Sequence, residues 1–214
     1  QVFPDVASFS TYAVDDMTFD MDVILTSVSV YMTLASEWPT ALPGVLNIFD
    51  GGAPPSATDL PGAGGDHGGA VALSAEIVGT VWVMTASGLN IALSAGSYMI
   101  GLTPSLSYRQ YGQTYIREAT TANGSGAWVR NPGNGAGLGL GDWTLASEVR
   151  DGYGDLAMRI EGDAAPVPAP APLALLAFGA LGLAGASRRL ARRRAPRVSP
   201  PAPQPARGRP RPAG

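Results

Sequence analysis

Glycine and proline interrupt the first part of this chain so often that a long helix has no room there. They account for 28 and 19 of the 214 residues, respectively. Both residue types weaken or end helices, and together with Asn and Asp they mark turns. The intervening runs are short and rich in β-branched and aromatic residues, and no stretch before residue 165 has a capped helical period. This pattern is typical of an all-β domain.

The clearest strand is predicted at residues 23–34, which read VILTSVSVYMTL. Val28, Val30, Met32 and Leu34 alternate there with Ser, Tyr and Thr. A period of two places the apolar set on one face of a strand, so we expect one side of this strand to be buried.

Similar short runs follow at intervals that suit antiparallel strands joined by turns. Their uneven lengths and loops favour a sandwich over a closed barrel. The sequence therefore predicts a jelly-roll-like antiparallel β-sandwich over residues 1–163, with loops at 35–44, 51–70 and 131–142. The other predicted strands are 9–19, 45–49, 71–78, 81–85, 89–93, 97–103, 127–130, 143–149 and 155–161.

Charge divides the chain into two unlike parts. All 17 acidic residues lie at or before Asp163, against five arginines, so that part carries −12; nine arginines from Arg188 onward give the rest +9. An acidic domain repels nucleic acid, so we expect no nucleic-acid partner. The chain has no cysteine, which excludes disulfides and thiolate metal sites. Since it begins with Gln1, we expect that an export signal peptide was removed, although trimming is an alternative.

The C-terminal part contains three successive segments. Residues 164–172 form a Pro-rich linker, for which an extended polyproline conformation is predicted. Residues 173–187 carry no charge and are predicted to form a hydrophobic transmembrane or sorting helix that is short for a bilayer. Residues 188–214 form a basic tail that is disordered by composition. The helix contributes Leu173, Leu175, Leu176, Phe178, Leu181 and Leu183 to the bilayer, and the basic stop consists of Arg188, Arg189, Arg192, Arg193 and Arg194.

The arginines set the expected topology. Basic residues next to an apolar helix stay cytoplasmic, which would leave the β domain outside the cytoplasm, anchored to the membrane or released to the surface or matrix. Binding of the arginines to nucleic acid or anionic lipid is the alternative.

The order of these segments resembles the sorting region of bacterial PEP-CTERM proteins. The motif position is occupied by Val167, Pro168, Ala169 and Pro170, followed by the apolar helix and the arginine cluster. The resemblance implies export, retention in the membrane and processing by an exosortase, a membrane protease-transpeptidase. It also implies an association with extracellular polysaccharide and biofilm. Two features depart from the family: Ala169 replaces the usual Glu, and the chain continues beyond Arg194.

Aromatic residues in or beside loops are the candidates for ligand contact. Aromatic rings can stack on sugars, so Trp38, Tyr108, Tyr111 and Trp128 are possible glycan contacts. The alternative is that these rings pack over the ends of the sandwich.

No catalytic or metal-binding residue is predicted, and no cofactor. His67 is the only histidine and lies in GGDHGG, where a solvated loop histidine is expected. Asp15, Asp16, Asp20 and Asp22 cluster without a D-x-D-x-D-G calcium loop, and are expected to be solvated. Carboxylate pairs for glycoside hydrolysis have no support from spacing.

Three functional hypotheses follow. The first is an exported, non-enzymatic surface or matrix protein that carries a PEP-CTERM-like signal and interacts with extracellular polysaccharide. The second is a secreted glycan-active enzyme on the same scaffold. The third is an unprocessed single-pass membrane protein.

Overall fold

The computed structural model describes residues 1–33, 37–52, 61–120, 124–135, 137–151 and 153–166. One compact unit spans Gln1–Ala165. The predicted sorting motif, hydrophobic helix and basic tail lie outside the described residues, as does most of the predicted linker. Within the described ranges no helix is long and apolar enough to cross a membrane.

The described unit is an antiparallel β structure, which confirms the all-β class that the sequence predicts. Nine strands form one hydrogen-bonded sheet in the order β8-β7-β1-β6-β3-β4-β5-β2-β9. The strands are β1 (Tyr12–Phe19), β2 (Val23–Thr33), β3 (Ala41–Asp50), β4 (Gly69–Val78), β5 (Val81–Leu93), β6 (Gly96–Pro104), β7 (Trp128–Arg130), β8 (Thr144–Leu145) and β9 (Met158–Ala164); two short helices, α1 (Tyr108–Tyr111) and α2 (Ala146–Val149), lie between later strands.

The predicted burial of the apolar face of β2 is confirmed for its described residues. Val28 and Val30 are fully buried, and Met32 is almost so, but Ser27 and Ser29 on the other face are buried as well. Val30 lies opposite Met84 of β5 and, on the other side, opposite Met158 of β9. Side chains from β2 to β6 share one apolar cluster, whose largest fully buried members include Leu25, Leu46, Ile48, Met84, Ile100 and Leu102.

The predicted loop at 35–44 is wrong at its C-terminal end, because β3 begins at Ala41 and includes Pro43. The Pro43 carbonyl accepts a hydrogen bond from the Ser105 N–H at 2.9 Å, just beyond the paired part of β6. The N–H and C=O of one strand residue point to the same side. An N–H at position 43 would therefore point towards the end of the β3–β6 ladder. The sheet tolerates a proline there because few hydrogen bonds remain to be made at that end.

The runs predicted as separate strands at 81–85 and 89–93 form the single strand β5. Its register against β2 shifts between Leu25 and Ser27, which pair with Ile91 and Ser87. Gly88 lies in this irregularity with φ of 68°, a conformation that glycine adopts without steric cost. The gap between the two predicted strands is thus a bulge within a continuous strand.

The strand predicted at 143–149 is also wrong in part. Only Thr144–Leu145 form a strand, and Ala146–Val149 form one helical turn. The Arg150 N–H donates to the Ala146 carbonyl at 3.2 Å and closes this turn. Ala and Glu are good helix formers, which is consistent with the change of structure here.

The Gly-rich segment before β4 is held against β3 by its backbone. Gly64 accepts from the Ile48 N–H at 3.0 Å, and Ile48 in turn accepts from the Asp66 N–H at 2.7 Å. The Gly68 N–H donates to the Gly64 carbonyl at 2.9 Å. Composition predicted an irregular loop here; backbone bonding to a buried strand gives its described part, residues 61–68, a defined path.

Replacing Gly68 by alanine is expected to destabilise the domain by about 1–3 kcal/mol. A Cβ at this position would lie 2.0 Å from the Leu46 carbonyl oxygen and 2.3 Å from that of Gly64, and both are backbone atoms. Gly141→Ala is the control, since a Cβ there meets open space. Urea unfolding followed by tryptophan fluorescence measures the difference; equal midpoints for the two variants would contradict the steric argument.

Candidate functional site

Two adjoining depressions open beside β1 and β7 and together form a cleft. The more open one, here the outer depression, has a volume of about 420 Å³. The more enclosed inner depression has about 120 Å³ and reaches the buried side chains of Phe3 and Met32. The two share the wall residues Thr11, Gln113, Tyr115, Val129, Ala146 and Tyr153.

One wall is built by helix α2 and the turn that follows it. The Tyr153 N–H donates to the Arg150 carbonyl at 3.2 Å, so the chain turns back and brings the two side chains together. The Arg150 Nη1 donates to the Tyr153 hydroxyl at 3.2 Å, and the guanidinium carbon lies 5.2 Å from the Tyr153 ring centroid. This contact combines a hydrogen bond with a cation–π attraction and orients both groups at the rim.

The opposite wall is the extended segment 113–118, which lies beside β2 without forming a full strand. The Thr33 N–H donates to the Tyr115 carbonyl at 2.9 Å, and the Arg117 N–H donates to the Tyr31 carbonyl at 2.8 Å. These bonds fix the backbone while the Tyr115 side chain remains 55% exposed. The Gln113 side chain makes no hydrogen bond within the described part of the chain. Both groups are therefore available to a ligand.

A buried carboxyl group connects the cleft walls to the sheet. Asp15 on β1 is fully buried, and its Oδ2 accepts from the Leu156 N–H at 2.6 Å. Its Oδ1 accepts from the Asp16 N–H at 3.0 Å. Burial raises the pKa of Asp15 to about 7, the bond from Leu156 opposes this rise, and the nearby charge of Asp155 adds to it.

The raised pKa of Asp15 predicts a pH-dependent stability. Between the ordinary pKa of 3.8 and about 7, the folded protein keeps the Asp15 proton and the unfolded chain loses it. Stability from this group is therefore complete below about pH 4, falls as pH rises to about 7, and is constant above, a loss on the order of 2–4 kcal/mol. Asp15→Asn, which cannot ionise, should flatten this fall in urea unfolding measured from pH 4.5 to 7.5.

Asp20→Asn is the matched control, because Asp20 is exposed on the turn after β1. It should keep the pH slope of the parent chain. If Asp15→Asn also keeps that slope, ionisation of Asp15 does not govern the dependence.

The four predicted glycan contacts do not form one site. Trp38 is buried and stacks on Trp82 with centroids 6.3 Å apart, so the prediction of a surface contact is wrong for this residue. Tyr108 is 43% exposed, but its ring stacks on Phe9 at 6.2 Å. The remaining two rings, those of Tyr111 and Trp128, are half-buried and pack against the two apolar clusters. None of the four lines the cleft.

His67 is exposed, as expected for a loop histidine, but it also has a protein partner. The His67 Nε2 lies 2.8 Å from Asp50 Oδ1, and its ring meets that of Tyr98 edge-on at 6.0 Å. Asp50 is the last residue of β3, so this pair helps to hold the Gly-rich segment. Among the described residues, no three His, Cys, Asp or Glu side chains converge in a way that suits a metal ion.

Three of the four clustered early aspartates have protein partners, so the expectation that the cluster is solvated is wrong for them; Asp15 is buried, as described above. Asp16 Oδ1 accepts from the Ser125 N–H at 2.9 Å, and Asp22 Oδ1 accepts from the Ala95 N–H at 2.8 Å. These bonds tie the segment around Ser125 to β1, and the turn before β6 to the connection between β1 and β2.

The cleft itself was not found from the sequence. Its main side chains, Tyr115, Tyr153 and Arg150, come from segments that the sequence separates by more than thirty residues. The only signal was the run of aromatic and polar residues at 107–121, which contains Tyr115. No family model, no curated protein and no solved structure matches this chain.

Proposed function

We propose that the β domain binds extracellular polysaccharide in the cleft, and that the chain is an exported, non-enzymatic surface or matrix protein. The observation that carries the proposal is that two tyrosines, Tyr115 and Tyr153, line both the outer and the inner depression. A binding site needs apolar surface together with a few polar groups that set orientation. The cleft offers both, since Gln113 and the tyrosine hydroxyls lie beside apolar side chains.

Sugars present an apolar ring face bordered by hydroxyl groups, and the cleft is complementary to this combination. Tyrosine supplies a flat apolar surface and a polar end in one side chain. Leu138, 62% exposed, and Val149, 39% exposed, extend the apolar surface of the outer depression. An open depression suits a segment of a polymer better than it suits a small enclosed cofactor.

The distribution of carboxylates favours binding over hydrolysis. Glycosidases place two carboxyl groups on either side of the scissile bond. The described residues that line the outer depression include no Asp or Glu, and Glu118 is the single carboxylate of the inner one. A secreted glycan-active enzyme on this scaffold remains the second hypothesis, and release of reducing ends from a bound glycan would identify it.

The finer architecture that we propose is a jelly-roll-like sandwich. Its support is that β2 and β6, four places apart in the strand order, contribute side chains to one apolar cluster. A sheet that lay flat would keep such strands apart, since neighbouring strands are about 4.8 Å from each other.

The proposed location rests on the C-terminal sequence. Val167, Pro168, Ala169 and Pro170 would serve as the sorting motif, residues 173–187 as the membrane helix, and the arginines from Arg188 as the cytoplasmic stop. The proposed partners are thus the membrane, an exosortase-type processing enzyme and polysaccharide. An unprocessed single-pass protein is the alternative.

Removing either tyrosine should weaken glycan binding. We expect Tyr153→Ala and Tyr115→Ala each to reduce affinity about fivefold to tenfold, the loss of one aromatic contact. A glycan array with the full chain in detergent would identify a ligand, and calorimetry would give the affinities. Tyr108→Ala is the control, because Tyr108 is exposed but lies outside the cleft. Equal losses in all three variants would refute the assignment to the cleft.

Processing should remove the basic tail. Mass spectrometry of the surface-associated protein is expected to find a C-terminus near residues 164–172, and none of the arginines from Arg188 onward. Ala169→Glu restores the acidic residue of the family motif and should increase the processed fraction. Ala171→Glu, which adds the same charge outside the motif, should not. An intact arginine-rich tail on surface protein would rule out sorting by cleavage.

A further inference from the structure

The outer depression contains a single charged side chain among the described residues that line it. Arg150 lines it together with Leu138, Leu140 and Val149 and with the two shared tyrosines. An arginine in such surroundings can bind a negatively charged group of a ligand. The domain is acidic overall, so a cation placed in this depression is a local reversal of charge.

Arg150 is engaged by Tyr153 but is not neutralised. One of its five N–H groups donates to the Tyr153 hydroxyl, and within the described part of the chain it makes no ion pair. Arg159 on β9 provides a contrast, since its guanidinium is paired with Glu161. The acidic neighbours of Arg150 in sequence, Glu148 and Asp151, are exposed and do not line the depression.

The position of Tyr153 beside Arg150 determines how a ligand would contact the tyrosine ring and the guanidinium together. The guanidinium and the ring are held together by a hydrogen bond of 3.2 Å. A sugar ring packed on the tyrosines would then carry any substituent at its edge towards Arg150. Guanidinium groups match carboxylates with two parallel hydrogen bonds, so a carboxylate is the substituent that fits this arrangement best.

We propose that the cleft recognises an acidic oligosaccharide, with a uronate carboxylate on Arg150 and a sugar face on Tyr153 or Tyr115. This inference rests on the proposed polysaccharide binding and specifies its chemical class. Glu118, which lines the inner depression, repels a second carboxylate there. The bound oligosaccharide would therefore have one preferred orientation in the cleft. Long-range attraction contributes little, since the net charge of the domain is negative and salt screens beyond about 8–10 Å.

The test compares each uronate oligomer with its own carboxyl-reduced form, which has the same length and linkages but no charge. Tetramers of galacturonate and of glucuronate are titrated into the full chain in detergent by calorimetry. The parent chain is expected to bind at least one uronate about tenfold more tightly than its reduced form. Arg150→Gln should bring the two affinities together, while Arg150→Lys keeps part of the difference, because lysine is a point charge.

Arg159→Gln is the matched control and should leave the preference unchanged, since Arg159 lies on the edge strand and is paired. Urea unfolding of each variant confirms that it is folded. If reduced oligomers bind as tightly as uronates, or if Arg150→Gln keeps the preference, the acidic-sugar inference fails and polysaccharide binding stands. If no oligomer of either kind binds, both proposals fail.

Discussion

The cleft depends on how the last third of the domain satisfies its backbone hydrogen bonds while forming few strands. A buried backbone group without a partner costs free energy comparable to a lost hydrogen bond. Both backbone groups of Tyr31 have a hydrogen-bond partner. Its N–H donates to the Ala157 carbonyl, and its carbonyl accepts from the Arg117 N–H. Ala157 then donates to Arg117, which closes a three-way connection between β2 and two separate segments. The walls of the cleft are positioned by these bonds and not by a continuous strand.

The buried Asp15 adds a second connection of a different kind. Its carboxyl accepts from the backbone of Leu156, so it satisfies a donor that the sheet does not reach. The arrangement has an electrostatic cost, because the ionised form is poorly solvated and Asp155 lies near. Retaining the proton avoids much of this cost. The side chain therefore acts at moderate acidity as a neutral polar connection between β1 and the wall that carries Tyr153.

The sequence predicted the central strands well, because runs rich in apolar and β-branched residues are separated there by turn residues. The strand predicted at 23–34 contains all of β2, and the strands predicted at 71–78 and 81–85 fall within β4 and β5. Two local features were missed: the N–H that Pro43 lacks would face the end of the β6 ladder, and a bulge at Gly88 joins the strands predicted at 81–85 and 89–93.

The candidate site was less accessible to prediction, for a physical reason. Trp38 lies in a segment of loop-like composition, which predicted a surface ring, but it stacks on Trp82 of β5, a residue distant in sequence. Arg150 and Tyr115 likewise acquire a common environment through long-range contacts. Local composition reports whether a residue lies near a turn. It does not report which of several aromatic side chains the sheet will cover.

The charge of Arg150 indicates a ligand chemistry for the cleft that the shape of the cleft alone does not indicate. Elsewhere in the described unit, two arginines bind to protein groups: Arg159 pairs with Glu161, and the Arg130 Nε donates to the Gly141 carbonyl at 2.7 Å. Arg150 instead holds a tyrosine and keeps its charge at the edge of a depression with no lining carboxylate. In a domain where acidic residues greatly outnumber basic ones, attraction at this point must be local and geometric. In the proposed binding mode, such attraction would select ligands by the placement of a single negative group, which a neutral aromatic cleft would not do.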